Sequence, residues 1–180
     1  NEVITILFVA RNSPEKRPDV FIKVAELCLR LNLPVQFKMI GDFTSYKANV
    51  PANLHIVGEI HDKDALNAHY EGAHLLLLTS TRESWGLVIF EGMNYGVVPI
   101  STNVGELADY ISKEKQNGVL LNNLKDENEL AQLFVKEIES FVNDRNLLKI
   151  FSKNAFHTIR EVSSQDRFDK KYLELLRLNK

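Results

Sequence analysis

"VITILFVARNSPEKRPDVFIKVAELCLRL", residues 3–31, changes its period part-way along. Val3 to Val9 is a run of β-branched, aromatic and other apolar residues, as expected of a strand in a sheet covered on both faces. The polar stretch "ARNSPEKRPD" follows, and beyond it Phe21, Val24, Ala25, Cys28 and Leu31 recur at helical spacing. Pro18 and Asp19 suit a first turn, so the pattern predicts a helix over Pro18–Leu31. Strand, short loop and helix in this order open a βαβ unit.

The same alternation continues along the chain. Further strands are predicted at Val35 to Ile40, Leu54 to Val57, Leu75 to Thr79, Val97 to Ser101 and Val119 to Leu121. Helices are predicted at Asp62 to Glu71, Gly86 to Tyr95, Gly105 to Ile111, Glu127 to Val142, Arg145 to Glu161 and Ser164 to Leu178, the last with Phe168, Tyr172, Leu175 and Leu176 along one side. The expectation is an α/β chain, a doubly wound, Rossmann-like parallel sheet of about six strands with helices on both faces. No linker, repeat or low-complexity segment divides the 180 residues, so 1–180 is expected to form one domain.

Composition narrows the partners. With 44% hydrophobic and 26% charged residues this is an ordinary folded chain, and a net charge of −2 supplies no basic field for nucleic acid. The single cysteine, Cys28, excludes an intrachain disulfide and reads as core. Apolar runs fall far short of the roughly 20 residues that span a bilayer, and no signal peptide is visible. The chain enters strand-like sequence at once and without Met, which leads us to expect a segment upstream.

In open α/β sheets ligands bind beyond the carboxyl ends of the strands, so the loops after strands carry the functional reading. The first offers Arg11, Lys16 and Arg17 near a helix N-terminus, where an anion is favoured; solvated surface charge is the plainer alternative. The loop "STRESWG" brings Glu83 beside Trp85, with Gly86 permitting close backbone approach and Leu87 and Val88 supplying amides at a helix start. Eight positions after Glu83, Glu91 shares a helix face with Leu87 and Tyr95 and is flanked by apolar residues, so it is expected to be buried. A buried carboxylate needs a partner: either a vicinal diol of a ligand or a salt bridge to a neighbouring loop.

"FVARNSPEKRPDVFI", "VGEI" and "TSTRESWGLVIFEGMNYGVVPISTNVGEL" together resemble, in order, the C-terminal donor-binding domain of the retaining group 1 glycosyl transferases, glycosyltransferase family 4, of GT-B fold. The resemblance covers nearly the whole chain, and its most specific element is the pair of glutamates separated by seven residues, Glu83 and Glu91. It implies that Glu83 positions the donor sugar, that Glu91 holds the ribose of a nucleotide such as UDP or GDP, and that Arg11 and Lys16 bind the diphosphate. Backbone around Trp85, Gly86, Leu87 and Val88 would complete the cradle, with Glu59 and Ile60 near the base. It implies an enzyme with a nucleotide-sugar donor, no metal or other cofactor, and an N-terminal acceptor domain belonging to the same protein. The isolated chain is then expected to be inactive. Departures from the family pattern occur at Ala10, Arg17, Glu106, Ala108 and Asp109, and they leave the sugar preference and loop shape open.

Rival chemistries find little footing. "DKD" at Asp62–Asp64 matches a metal-binding triplet formally but opens a helix, where a cap is the simpler role. The five histidines have no metal-ligand spacing, and no GxSxG, P-loop or GxGxxG is present. A GT-B epimerase or phosphorylase and a non-catalytic nucleotide-sugar-binding module remain as alternatives. A cytoplasmic location is expected, with peripheral membrane association of the full-length protein left open.

Overall fold

The computed structural model describes residues 3–162. The helix expected at Ser164 to Leu178 lies outside them.

Six strands are present: β1 (Ile4–Val9), β2 (Val35–Ile40), β3 (Leu54–Gly58), β4 (Leu75–Leu78), β5 (Val98–Thr102) and β6 (Val119–Leu121). All pair in parallel, in the order β3-β2-β1-β4-β5-β6. The sheet therefore winds outward in both directions from the β1/β4 boundary, the doubly wound arrangement expected. Each strand begins and ends within one residue of its predicted limits, because short, mostly apolar runs bounded by turn residues leave little freedom.

The four leucines of β4 show why the centre of the sheet is so apolar. Leu75 and Leu77 point into one core cluster and Leu76 and Leu78 into the other, all essentially without solvent contact. The first cluster is roofed by α1 (Pro18–Arg30) and α5 (Glu127–Asn143), which pack on one another. Within it Phe8 stacks on Phe21, centroids 4.8 Å apart, and Phe21 meets Phe37 edge-on at 5.4 Å. Cys28 lies there as a buried free thiol, pushed up to about 12 by burial and, secondarily, by Glu139.

The second cluster is covered by α3 (Leu87–Met93) and α4 (Leu107–Tyr110), with Tyr70 of α2 (Lys63–Glu71). Helix α6 (Arg145–Val162) serves both, Leu148 and Phe151 facing the first cluster and Ala155 and Ile159 the second. Among the described residues no helix is long and apolar enough to cross a membrane.

Candidate functional site

At the carboxyl edge, the β1/β4 boundary brings two loops side by side although 67 residues separate their facing members. After β1 the chain makes a 3-10 turn, Pro14–Lys16, which the helical period did not reveal because a single turn is too short to show one. After β4 it runs through Thr79–Gly86 into α3. The Thr81 amide donates to the Glu15 carbonyl at 2.8 Å, joining the two loops through their backbones.

Lys16 and Glu83 meet in this seam. Nζ lies 2.5 Å from Oε1, with the two side chains only 18% and 11% exposed. Ser80 Oγ donates to the same carboxylate oxygen at 2.7 Å. Glu83 is thus held from two sides at the mouth of the sheet. Arg11 stands exposed on the β1 loop, with no hydrogen bond or ion pair among the described residues. Ser13 Oγ, between Arg11 and Lys16 in sequence, is buried without a partner within the chain.

Arg17 departs from the expectation made for it. It is neither solvated nor offered to an anion, being 7% exposed. Nε donates to the Thr79 carbonyl (2.6 Å), Nη1 to the Leu124 carbonyl (2.8 Å), and Nη2 to the Ser80 carbonyl (3.2 Å) and Asn123 Oδ1 (2.6 Å). Its backbone is left-handed, φ 48°, a conformation that costs a non-glycine residue on the order of 1 kcal/mol. Burial lowers the guanidinium pKa, and Glu127 partly opposes that shift.

Glu91 also corrects the sequence reading. It is exposed, and its neighbours on the same helix stripe are exposed as well: Leu87 is 66% and Tyr95 36% accessible. Only Ile89, Gly92 and Met93 of α3 are buried; Val88 and Phe90 are half-buried against the second cluster, while Leu87 and Tyr95, which share the Glu91 stripe, line open surface. The helix is shorter than expected too, beginning after Gly86 and ending at Met93. No salt bridge reaches Glu91 among the described residues; the buried Tyr70 hydroxyl donates to Oε2 at 3.0 Å. Tyr70 stacks on Tyr95, ring centroids 5.9 Å apart. Burial, followed by the Glu91 charge, raises the phenol pKa. The salt bridge that seemed an option for Glu91 belongs to Glu83.

Trp85 is 53% exposed beside Glu83, and Gly86 holds φ 60° immediately before Leu87 and half-buried Val88, whose amides begin α3. Gly105, on the β5–α4 loop, backs this turn. A Cβ there would come within 2.7 Å of the Glu83 and Ser84 carbonyls, and φ is +60° besides. Glu106 and Asp109 are exposed at and inside the start of α4. Half-buried Ile60 and exposed Glu59 lie just past β3, on the loop into α2. No hydrogen bond or ion pair joins them to Lys16, Glu83 or Glu91 among the described residues.

Asp62 caps α2, accepting from the Ala65 amide at 2.7 Å, which bears out the capping role of "DKD". Sequence reading did not single out Tyr70, Ser80 or Ser13. Only their places in the fold bring them to the site.

A model of the glycosyl transferases group 1 family matches residues 1–158. The chain belongs to that family. It is 30% identical over 177 residues to a Klebsiella pneumoniae protein described as an uncharacterized 41.2 kDa protein in the cps region, covering 95% of this chain and 47% of that protein. It is 29% identical over 157 residues to a Campylobacter jejuni alpha-1,4-N-acetyl-D-galactosaminyltransferase acting on an undecaprenol-linked saccharide, covering 83% of this chain and 42% of the relative. The chain thus spans less than half the length of these curated relatives.

Solved structures agree on the fold. The C-terminal domain of the group 1 glycosyl transferase LpcC from Francisella tularensis superposes with a TM-score of 0.74 at 19% identity, over 88% of this chain and 85% of that one. The pneumococcal O-GlcNAc transferase GtfA, solved with UDP and GlcNAc, gives 0.77 at 20% identity, over 96% of this chain and 36% of GtfA. The group 1 domain therefore has the Rossmann-like architecture of one half of a GT-B glycosyltransferase.

Proposed function

We propose that this chain is the donor-binding half of a retaining glycosyltransferase that moves a sugar from a nucleoside diphosphate to an acceptor hydroxyl. The observation that carries the reading is the Lys16–Glu83 pair at the β1/β4 boundary, with free Arg11 on one side and the Tyr70–Glu91 pair on the α3 surface. Without donor, Lys16 and Glu83 satisfy one another. A bound donor would divide them, the ammonium turning to diphosphate oxygens and the carboxylate to sugar hydroxyls, while Ser80 keeps Glu83 in place. Glu91, already accepting from Tyr70, has lone pairs left for a ribose diol.

Departure of the leaving group concentrates negative charge on the diphosphate, so Arg11, Lys16 and the amides of Leu87 and Val88 stabilise it more in the transition state than in the ground state. With cations in that role the reaction requires no metal. Glu83 orients the sugar, and the two-carboxylate covalent scheme of glycosidases is not carried over to it. Acceptor contacts come from an N-terminal domain of the same protein, consistent with the chain's share of its relatives' length. The acceptor is a glycan, lipid or small molecule.

Calorimetric titration with UDP, GDP and ADP tests this directly. One diphosphate is expected to bind the native chain, with Glu91→Ala and Arg11→Ala each weakening it while remaining folded. Failure of all three at millimolar concentration, or native affinity in both variants, would overturn the donor-site reading. UDP is the first choice because it accompanies GtfA in its solved structure.

A further inference from the structure

We propose that Arg17 is a positioning residue of the donor site, its buried guanidinium clamping the loops after β1, β4 and β6 so that Lys16 and Glu83 stay face to face. The proposal rests on the donor-site reading of those two residues.

The backbone at Arg17 would be easiest for glycine, since φ is 48°. A long side chain kept in a left-handed conformation must make contacts that offset the strain, and Arg17 makes four hydrogen bonds to three neutral carbonyls and one amide oxygen. No carboxylate is among those partners, so the set is built for geometry and not for charge pairing. Two of the carbonyls, Thr79 and Ser80, belong to the start of the loop that carries Glu83, and Ser80 also holds the Glu83 carboxylate through its hydroxyl. The others, Leu124 and Asn123, lie just beyond β6.

The clamp closes in both directions. Thr79 Oγ1 lies 2.6 Å from the Lys16 carbonyl and 3.0 Å from that of Arg17, and Asn123 Nδ2 donates to the Thr81 carbonyl at 2.9 Å. Lys16 is covalently next to Arg17, and Glu83 is three residues past Ser80. The planar guanidinium fork thus fixes both members of the pair through their backbones, an arrangement that a lysine's single ammonium does not reproduce.

The test uses two readouts on the 180-residue chain, with Arg17→Gly chosen because glycine suits the backbone and Arg17→Lys as a second variant that keeps the charge. The first readout is the Lys16 side-chain NMR signal, which needs no ligand. In both variants it is expected to move to the position it takes in Glu83→Gln, with thermal unfolding still cooperative. The second is UDP affinity, expected to fall about tenfold in Arg17→Gly, the scale seen when support behind a binding group is lost. Because Arg17 acts through Lys16 and Glu83 together, adding Arg17→Gly to the Lys16→Met, Glu83→Gln double variant should cost less than about twofold more, whereas a general structural defect would cost the same in either background.

A Lys16 signal unchanged in both Arg17 variants, or equal losses in both backgrounds, overturns the proposal. If the native chain binds none of UDP, GDP and ADP, the functional reading fails by itself, and the Lys16 signal still decides whether Arg17 holds the pair.

Discussion

Tyr70 and Glu91 share one hydrogen bond, and Tyr70→Phe removes it while keeping the ring packed and stacked on Tyr95. The expected stability loss is about 1 kcal/mol by denaturant unfolding, and calorimetry should show weaker UDP binding than in the native chain. The same phenol sets an alkaline limit. Its folded pKa is raised above the ordinary 10.0, so its contribution is complete below that value and is lost as pH climbs beyond it. Cys28, at about 12 against an ordinary 9.0, begins the same decline earlier. Unfolding free energies measured from pH 8 to 11 should therefore fall from about pH 9 and steepen above 10. In Tyr70→Phe the steepening should be reduced to the part that Tyr46, whose phenol pKa is also raised by burial and by Asp19, supplies; identical slopes in the two chains would contradict this. At this scale sequence reading singled out residues but not their surroundings. Glu83 and Glu91 stand out by spacing, but the spacing cannot say that Leu87 and Tyr95 face open surface, since an apolar stripe looks alike over a core and over a cleft.

The loop from β5 to α4 acts as a backstop for the loop that bears Glu83, with Gly105 at the point of contact. Gly105→Ala forces a methyl against two backbone carbonyls at 2.7 Å and requires φ +60° of a residue with a side chain. A destabilisation of about 1–3 kcal/mol is expected in thermal or urea unfolding, together with weaker nucleotide binding as Glu83 and Ser84 are displaced. The equivalent change at neighbouring exposed Glu106, Glu106→Ala, should leave stability within about 0.5 kcal/mol of native. Strands were legible because their apolar runs admit one reading, and long helices because several turns repeat a period. The 3-10 turns at Pro14–Lys16 and Thr44–Asn49 were not, since each is local geometry imposed by what the loop packs against. Arg17 is the clearest case: as sequence it is one more cation in a charged loop, and only three converging loops give it a purpose.

Taken whole, the described chain has the Rossmann-like fold of one half of a GT-B glycosyltransferase. The purified chain is expected to bind donor nucleotide without acceptor-dependent sugar transfer, which a radiolabelled transfer assay would check; measurable turnover by these 180 residues would show that the acceptor site is not elsewhere. That expectation follows from family membership and the chain's share of its relatives' length. The strand order carries a kinetic consequence as well. Because the sheet winds outward from β1 and β4, the clamp at Arg17 reaches partners 62, 63, 106 and 107 residues away. During synthesis the site is incomplete until Leu124 has emerged, and in refolding it forms only after both halves of the sheet have met. On the proposed reading a nucleotide recognises that finished arrangement alone, so it cannot guide the chain towards it. Stopped-flow traces with saturating UDP should show refolding at the same rate as without it and unfolding markedly slower, which makes the donor a brake on departure from the native state and no help in reaching it.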